Sequence, residues 1–475
     1  MNIWHVRITI ILSALSALAA VLVALEASAA TLTVNPGDSI QQAITNASAG
    51  DTVLIKAGTY VGGGVSVTKP ITLQGEPGAV LSASTPGAGI GVRIASNDCA
   101  VVGLRIENYN MAISAFSQGY ARVLIADNHT YKSQYSCWIN GSDWVVEGNE
   151  FERAYWWDGS GDTDYTRMFG SGHVFRGNYV HGSLLPEDGN PRNGSTDYAH
   201  MDGIQWYGTN GELLRDVLIE GNYFTDFMDG LFLSAPGGAG RQNVTIRNNV
   251  FWGTNFDRGG SANYLGLPSW GIAIGLFDSR GTNIVVENNL IYKCANYTNF
   301  IGLGSGSRVG KNIFVDDGGG TVYYFEGGTP STLTWNGDML WSIGWTGHYS
   351  PPTSFAQNPV FRDKSNPLGA DGVPFTSDDG WVSAATAQGY GPPAPTGTLP
   401  PPDPDPDPDP TPDPTPDPTP LPDCDCDALQ AQIDALTADV DALKASVDAN
   451  TAFRNRYKSE VRTQRSPAKY SPARP

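Results

Sequence analysis

A short signature recurs through the middle of the chain: an aliphatic or aromatic residue, a polar residue, Gly or Asn, then Asn. It reads Val146-Glu147-Gly148-Asn149, Phe175-Arg176-Gly177-Asn178, Ile219-Glu220-Gly221-Asn222, Ile246-Arg247-Asn248-Asn249 and Val286-Glu287-Asn288-Asn289, and Gly310-Lys311-Asn312 continues it. Ile106-Glu107-Asn108 and Ala126-Asp127-Asn128 read as earlier copies; Asn108 to Asn128 and Asn128 to Asn149 span 20 and 21 residues. Recurrence at that period is the mark of stacked supersecondary units. Alternating β-branched and polar residues before each Asn predict strands. The recurring Asn is expected to take the left-handed conformation of a tight corner and to bond its equivalents in the coils above and below. With 56 glycines and no long helical pattern, the expected fold is all-β, a parallel β-helix solenoid. The leucine-rich alternative fails because its Leu-x-x-Leu-x-Leu spacing is absent.

The N-terminal stretch extends the pattern. Asp38 to Tyr60 combines a short amphipathic helix, a Gly50-Asp51 turn and a first strand, with Asp38 as helix cap and Ile40, Ala43 and Ile44 as its buried stripe. Such a helix would close the open end of the solenoid. Taken with the repeats, this entry resembles the right-handed parallel β-helix superfamily of pectate-lyase type over roughly residues 31 to 390. The resemblance implies the fold and a secreted carbohydrate-active protein, but no single reaction, because that superfamily includes lyases, hydrolases, epimerases and non-catalytic binders. The Asn-Thr-Asp, Asp-Asp, Gly-His-Gly and Arg-x-Lys series of polygalacturonase-type hydrolases has only echoes here, in Ser195-Thr196-Asp197 and Ser171-Gly172-His173.

Five segments are expected. Residues 1–30 read as a signal peptide, with Arg7, an apolar run from Ile8 to Leu25 and an Ala27-Ser28-Ala29 cleavage site; left uncleaved, that run is long enough for an anchor. The β-helix covers 31–395, and 396–423 is a Pro/Asp/Thr-rich linker of extended type. Within 424–452, Leu429, Ile433, Leu436, Val440, Leu443 and Val447 keep heptad spacing, predicting a homo-oligomeric coiled coil (dimer or trimer) through 427–449. Cys424 and Cys426 at its mouth suit interchain disulfides. The tail, 453–475, is basic and suits an anionic envelope. Localisation is expected to be extracellular. Cys99, Cys137 and Cys294 sit in apolar strand contexts and read as buried small hydrophobes.

Charge narrows the partners. Of the net −19, −6 lies in residues 396–475 (14 acids, 8 bases), leaving −13 on the body. That excludes nucleic acid as the ordinary partner and favours cations or neutral sugars. A polyuronate would need calcium or local arginines.

His200-Met201-Asp202-Gly203-Ile204 and Asp229-Gly230-Leu231 each place an Asp 20 residues before a signature Asn, Asn222 and Asn249. If each repeat is one coil, Asp202 and Asp229 share a column about 4.8 Å apart. Like charges on adjacent strands repel, so the pair is a candidate catalytic or Ca²⁺-binding site; the structural alternative is an Asp-Gly turn device capping local amides. His200, two residues before Asp202, is the candidate base. Arg153–Ser171, Ser183–Ala199 and Trp252–Ser269 read as long insertions in one slot of the repeat, rich in aromatics. Flat rings suit sugar faces, which makes Trp156, Trp157, Asp197, Trp206, Tyr207, Asp226, Trp252, Arg258 and Trp270 candidate substrate-binding residues. Gly369 to Gly380 has the spaced acids of a cation loop without EF-hand spacing, and reads better as the end of the solenoid. The expected function is a polysaccharide-degrading enzyme, hydrolase or lyase. The alternative is a non-catalytic carbohydrate-binding or surface-adhesion protein.

Overall fold

In the computed structural model every strand pairs in parallel with the equivalent strand of the next coil, and the coils are laid down along three ladders. The structure describes residues 29–395 except 156–161, 183–199, 209–211, 235–239, 254–271, 278–280, 300–302, 316–320, 324–332, 342–344, 348–354 and positions 117, 226, 228 and 295. The signal segment, linker, heptad segment and basic tail lie outside the described residues. No described helix is long and apolar enough to cross a membrane.

One full coil shows the plan: Asp162–Ser171, then Val174–Arg176, then Tyr179–His181. The first strand lies on the ladder that also holds Tyr135–Ser142, His200–Tyr207, Asp229–Ser234 and Ile272–Phe277. The second lies beside Val145–Glu147 and Leu213–Glu220, the third beside Glu150–Glu152 and Tyr223–Thr225. Strands of three residues suffice because each one is paired on both edges. Inward positions build one continuous core, in which Phe151, Phe175, Phe224 and Phe251 form successive steps of a ring stack. The residues expected to begin an insertion at Arg153 instead resume a ten-residue strand at Asp162.

The signature asparagines mark the corner between the second and third ladders. Asn149, Asn178, Asn222, Asn249, Asn289 and Asn312 are buried, and each backbone N–H donates to the side-chain oxygen of the next at 2.7–3.1 Å, ending on Asp338. Each amide nitrogen also donates to that same oxygen and back to a carbonyl, as Asn222 does to Phe175 at 3.0 Å. The left-handed conformation expected of these asparagines falls one residue earlier. Gly148, Gly177, Gly221, Asn248 and Asn288 carry the positive φ, which frees the Asn to be extended and turned inward. Asn108 is not a copy of this corner. Its strand, Arg105–Glu107, pairs with His129–Tyr131, so Asn108 occupies the following corner, and Leu104 takes the ladder position, donating its N–H to Asn128.

At the N-terminal end the helix Ile40–Asn46 lays Ile40 and Ile44 into the core. Ser39, not Asp38, caps it, accepting from the N–H of Gln42, while Asp38 accepts from the N–H of Asn35. Cys99, Cys137 and Cys294 are buried and free, as their contexts implied, and burial pushes the Cys99 and Cys137 thiols up to about 12. After the last strand of the third ladder, Phe355–Ala356, residues 361–394 fold back on that ladder's outer face. Trp381, Val382 and Ala385 pack there with Trp252, Tyr292 and Ile313.

Replacing Asn222 by Ala leaves the N–H and Nδ2 of Asn178 without their acceptor inside the corner. Unsatisfied buried donors cost about 1–3 kcal/mol each, so chemical denaturation of N222A should show a loss of about 2–4 kcal/mol.

Candidate active site

The ladder that holds Asp162–Ser171, His200–Tyr207 and Asp229–Ser234 aligns three carboxylates. Asp164 pairs with Asp202, and Asp202 with Asp229, on successive strands. Tyr135 continues the column on one side and Ile272 on the other. The face follows from the neighbours. Met201, Ile204 and Trp206 belong to the core, and a Cβ on Gly203 would lie 2.8 Å from the Phe224 ring, so Gly203 also faces inward. The strand bends at Gly203-Ile204, and Asp202, Gln205 and Tyr207 stand on the opposite face. Gly230 repeats the device against Phe251. At Asp202-Gly203 the pair lies inside its strand and at Asp229-Gly230 it opens one; in both, glycine makes room for the stacked core rings while the acid turns outward.

All three carboxylates are nonetheless fully withdrawn from water, with 0 % exposure. Arg167, three residues along from Asp164, donates from Nε to its Oδ2 at 2.6 Å. Its guanidinium lies 4.8 Å over the Tyr135 ring and 4.9 Å over Trp138. Gln205 repeats the spacing, donating from Nε2 to Oδ2 of Asp202 at 3.0 Å, and the Asp202 N–H reaches Oδ1 of Asp164 at 3.3 Å. The next outward positions carry rings. Trp138 stacks on Phe169 at 5.9 Å and meets Phe116 edge-on at 4.8 Å; Phe232 lies 6.3 Å from Tyr207 and 4.7 Å from Phe277. Phe116 and Tyr207 are 52 % and 44 % exposed, an unusual display of large rings beside buried acids.

Two expected substrate-binding tryptophans are elsewhere. Trp206 is buried in the solenoid interior, because strand alternation cannot send both it and Tyr207 outward. Trp252 is buried under the returning C-terminal segment, stacked on Tyr292 at 3.9 Å with Phe361 edge-on at 5.9 Å. His200 opens its strand opposite Asp162, but its side chain, and Trp156, Trp157, Asp197, Asp226, Arg258 and Trp270, lie outside the described residues. His173 is structural: Nδ1 accepts from the Trp144 N–H, Nε2 donates to the Phe169 carbonyl, and burial lowers it to about 4. In the Gly369–Gly380 loop, Asp371 accepts from Val373 N and Thr376 Oγ1, Asp378 accepts from Ala370 N, and burial raises Asp379 to about 7.

Asp164, Arg167 and Gln205 had no part in the sequence-based site. A signal for them was present. Asp164-Tyr165-Thr166-Arg167, Asp202-Gly203-Ile204-Gln205 and Asp229-Gly230-Leu231-Phe232 align as Asp, inward residue, inward residue, outward side chain. But Asp164 precedes its Asn by 14 residues rather than 20, and Tyr165 replaces the glycine.

Residues 167–348 match the family described as right handed beta helix region. Over that stretch the chain has the fold that this family describes, a parallel β-helix. Solved structures similar to it include an alginate lyase from Paenibacillus sp. str. FPU-7, at 15 % identity and a TM-score of 0.41 over 69 % of this chain and 98 % of that one. Pectate lyase Pel9A matches at 16 % and 0.48 over 75 % and 89 %. The A-module of Azotobacter vinelandii mannuronan C-5 epimerase AlgE6 matches at 15 % and 0.43 over 67 % and 93 %. No curated protein sequence matches the chain. What this β-helix does must therefore be read from its own side chains.

The two faces of one strand make contrasting demands. Trp206→Ala should cost about 3–5 kcal/mol through the cavity it leaves, whereas Tyr207→Ala should stay within about 0.5 kcal/mol. Thermal or chemical denaturation of the two variants checks the assignment.

Proposed function

We propose that the Asp164–Asp202–Asp229 column is the reactive centre of an exported polysaccharide-processing enzyme, with glycoside hydrolysis as its reaction. One observation carries the reading: three fully buried carboxylates stand in register on consecutive strands beside exposed rings. Burying like charges one strand apart opposes folding, and such groups concentrate at functional sites.

Asp202 is the proposed proton donor and Asp229 its partner. Their strands lie about 4.8 Å apart, near the roughly 5–5.5 Å of retaining enzymes; inverting enzymes need roughly 6.5–9.5 Å. In the retaining case Asp229 attacks the anomeric carbon as Asp202 protonates the leaving oxygen, and Asp202 then deprotonates the water that releases the sugar. Arg167 holds Asp164 and so fixes the edge of the column, and Gln205 orients Asp202. The Tyr207–Phe232–Phe277 and Phe116–Trp138–Phe169 rings supply flat surfaces for sugar faces on either side.

A calcium-assisted lyase is the second reading, favoured by the same oxygens. Ca²⁺ takes six to eight oxygen ligands at about 2.3–2.6 Å, and Asp202 and Asp229, with Asp164 adjacent, would hold it. When bound, the ion would stabilise charge next to a uronate carboxylate. His200 is the proposed base of that reaction. Export rests on the Arg7-to-Ala29 leader, homo-oligomerisation on the heptads of 427–449, and envelope attachment on the basic tail.

Asp202→Asn keeps the size and the contact with Gln205 but removes the acid. Turnover should fall at least about 10³-fold while polysaccharide retention persists. Unchanged turnover in D202N would defeat the reading; retention with no turnover in the parent would identify a binder. Product absorbance from a new carbon–carbon double bond, abolished by EDTA, would select the lyase over the hydrolase.

A further inference from the structure

On the third ladder, opposite in character from the acid column, the outer face carries a group with metal-ligand chemistry. Glu150 and Glu152 point outward from one strand, flanking the core residue Phe151. The preceding strand sets His129 beside Glu150, and the following strand sets His181 beside Glu152. The contacts cross this grid diagonally: His129 Nε2 lies 2.8 Å from Glu152 Oε2, and His181 Nε2 lies 2.9 Å from Glu150 Oε1. The other oxygen of Glu150 lies 3.6 Å from His129 Nδ1. One ligand atom each from His129, Glu150 and Glu152 falls within 4.8 Å of the others, and all three side chains are half-buried rather than sealed.

We propose that His129, Glu150 and Glu152 bind a divalent transition-metal ion such as Zn²⁺, with His181 as the residue that positions Glu150. Zn²⁺ holds imidazole nitrogen at about 2.0–2.1 Å and carboxylate oxygen at about 2.0–2.2 Å, so tetrahedral ligands sit roughly 3.3 Å apart. The 2.8 Å separation is on Nε2, the nitrogen that faces Glu152, whereas the 3.6 Å contact of Glu150 is with Nδ1; Glu150 therefore swings toward Nε2 to complete a set whose ligand atoms lie within 4.8 Å of one another. A small opening of the His129–Glu152 pair makes room for the ion. The ion takes the Nε2 lone pair while the ring proton now shared with Glu152 shifts to Nδ1, so the imidazole stays neutral and the ring releases no proton. Arg105 donates to His129 Nδ1 at 2.9 Å and meets Glu107 at 3.0 Å. When the ring moves its proton to Nδ1, Arg105 retains Glu107.

The supporting contacts are those of a ligating carboxylate. His181 stacks on Tyr179 at 3.8 Å, which fixes the ring plane, and its bond to Oε1 leaves Oε2 of Glu150 turned toward His129. Such outer partners set ligand orientation in metal sites. Three protein ligands leave a fourth position for water, and the surface is open to it. Nothing in the proposed glycosidic chemistry uses these residues.

Zinc titration of the full chain in a Cys424→Ser/Cys426→Ser background tests this without thiolate competition. One equivalent should bind and raise the melting temperature, and Co²⁺ in its place should give visible d–d bands without sulfur charge transfer. His129→Gln and Glu150→Gln should each weaken binding by more than the roughly 10–100-fold typical of outer partners, and His181→Gln should fall within that range. Asp202→Asn should keep the ion. Absence of zinc binding, or equal affinity in H129Q, E150Q and the parent, would overturn the site; circular dichroism establishes that each variant has folded.

Discussion

The structure depends on strand stacking in fixed register, and the buried asparagine corner is what fixes it. Each side-chain oxygen accepts two bonds from the coil before, so a coil that slipped by one residue would leave two donors unmet. At about 1–3 kcal/mol per unsatisfied buried group, the penalty repeats at each corner from Asn149 to Asn312. It cannot be shared out, because a solenoid coil touches only its neighbours. This is why three-residue strands hold their places. It is also why side chains on consecutive coils fall into columns: the core rings, the acids of the first ladder and the His/Glu grid of the third are three consequences of one register.

That register also explains what was legible in the sequence. Asp202 and Asp229 could be aligned because both lie 20 residues before a corner Asn, and the alignment measured the ladder itself. Asp164 escaped because its coil passes from the first to the second ladder almost directly, through Ser171 and Gly172, whereas the next coils carry about six more residues there. A fixed interval to Asn is thus a sound ruler only between coils of equal length. The reading of Asn108 failed similarly: Glu-Asn at the end of a strand looks alike at two corners, and only pairing with Tyr131 tells them apart.

Faces were harder to read than register. Trp206 and Tyr207 are adjacent and both aromatic, and the inward pair Gly203-Ile204 shifts the alternation by one. Without the core contact of Gly203, the phase of the remaining strand is ambiguous. Trp252 illustrates a separate limit. Its outward position follows from the coil pattern, yet a segment more than a hundred residues later returns to cover it. Burial by a distant segment leaves no mark in local periodicity. Buried polar positions, by contrast, were partly legible: an acid repeated at one coil position is costly to keep, and cost of that kind is visible in sequence as a pattern the fold does not need.

The two charged groups differ in what their surroundings allow. The acid column is withdrawn from water, anchored at one edge by the Arg167–Asp164 ion pair, and rimmed by rings that suit sugar faces. The His129–Glu150–Glu152 group is half-exposed, mixes imidazole with carboxylate, and has a cation, Arg105, that can turn to Glu107. It therefore suits a metal that exchanges with solvent. Both arise from the same rule, that an outward residue of one coil meets the residue in register on the next. A β-helix can carry independent chemistry on separate ladders because its core, once in register, leaves every outward column free to vary.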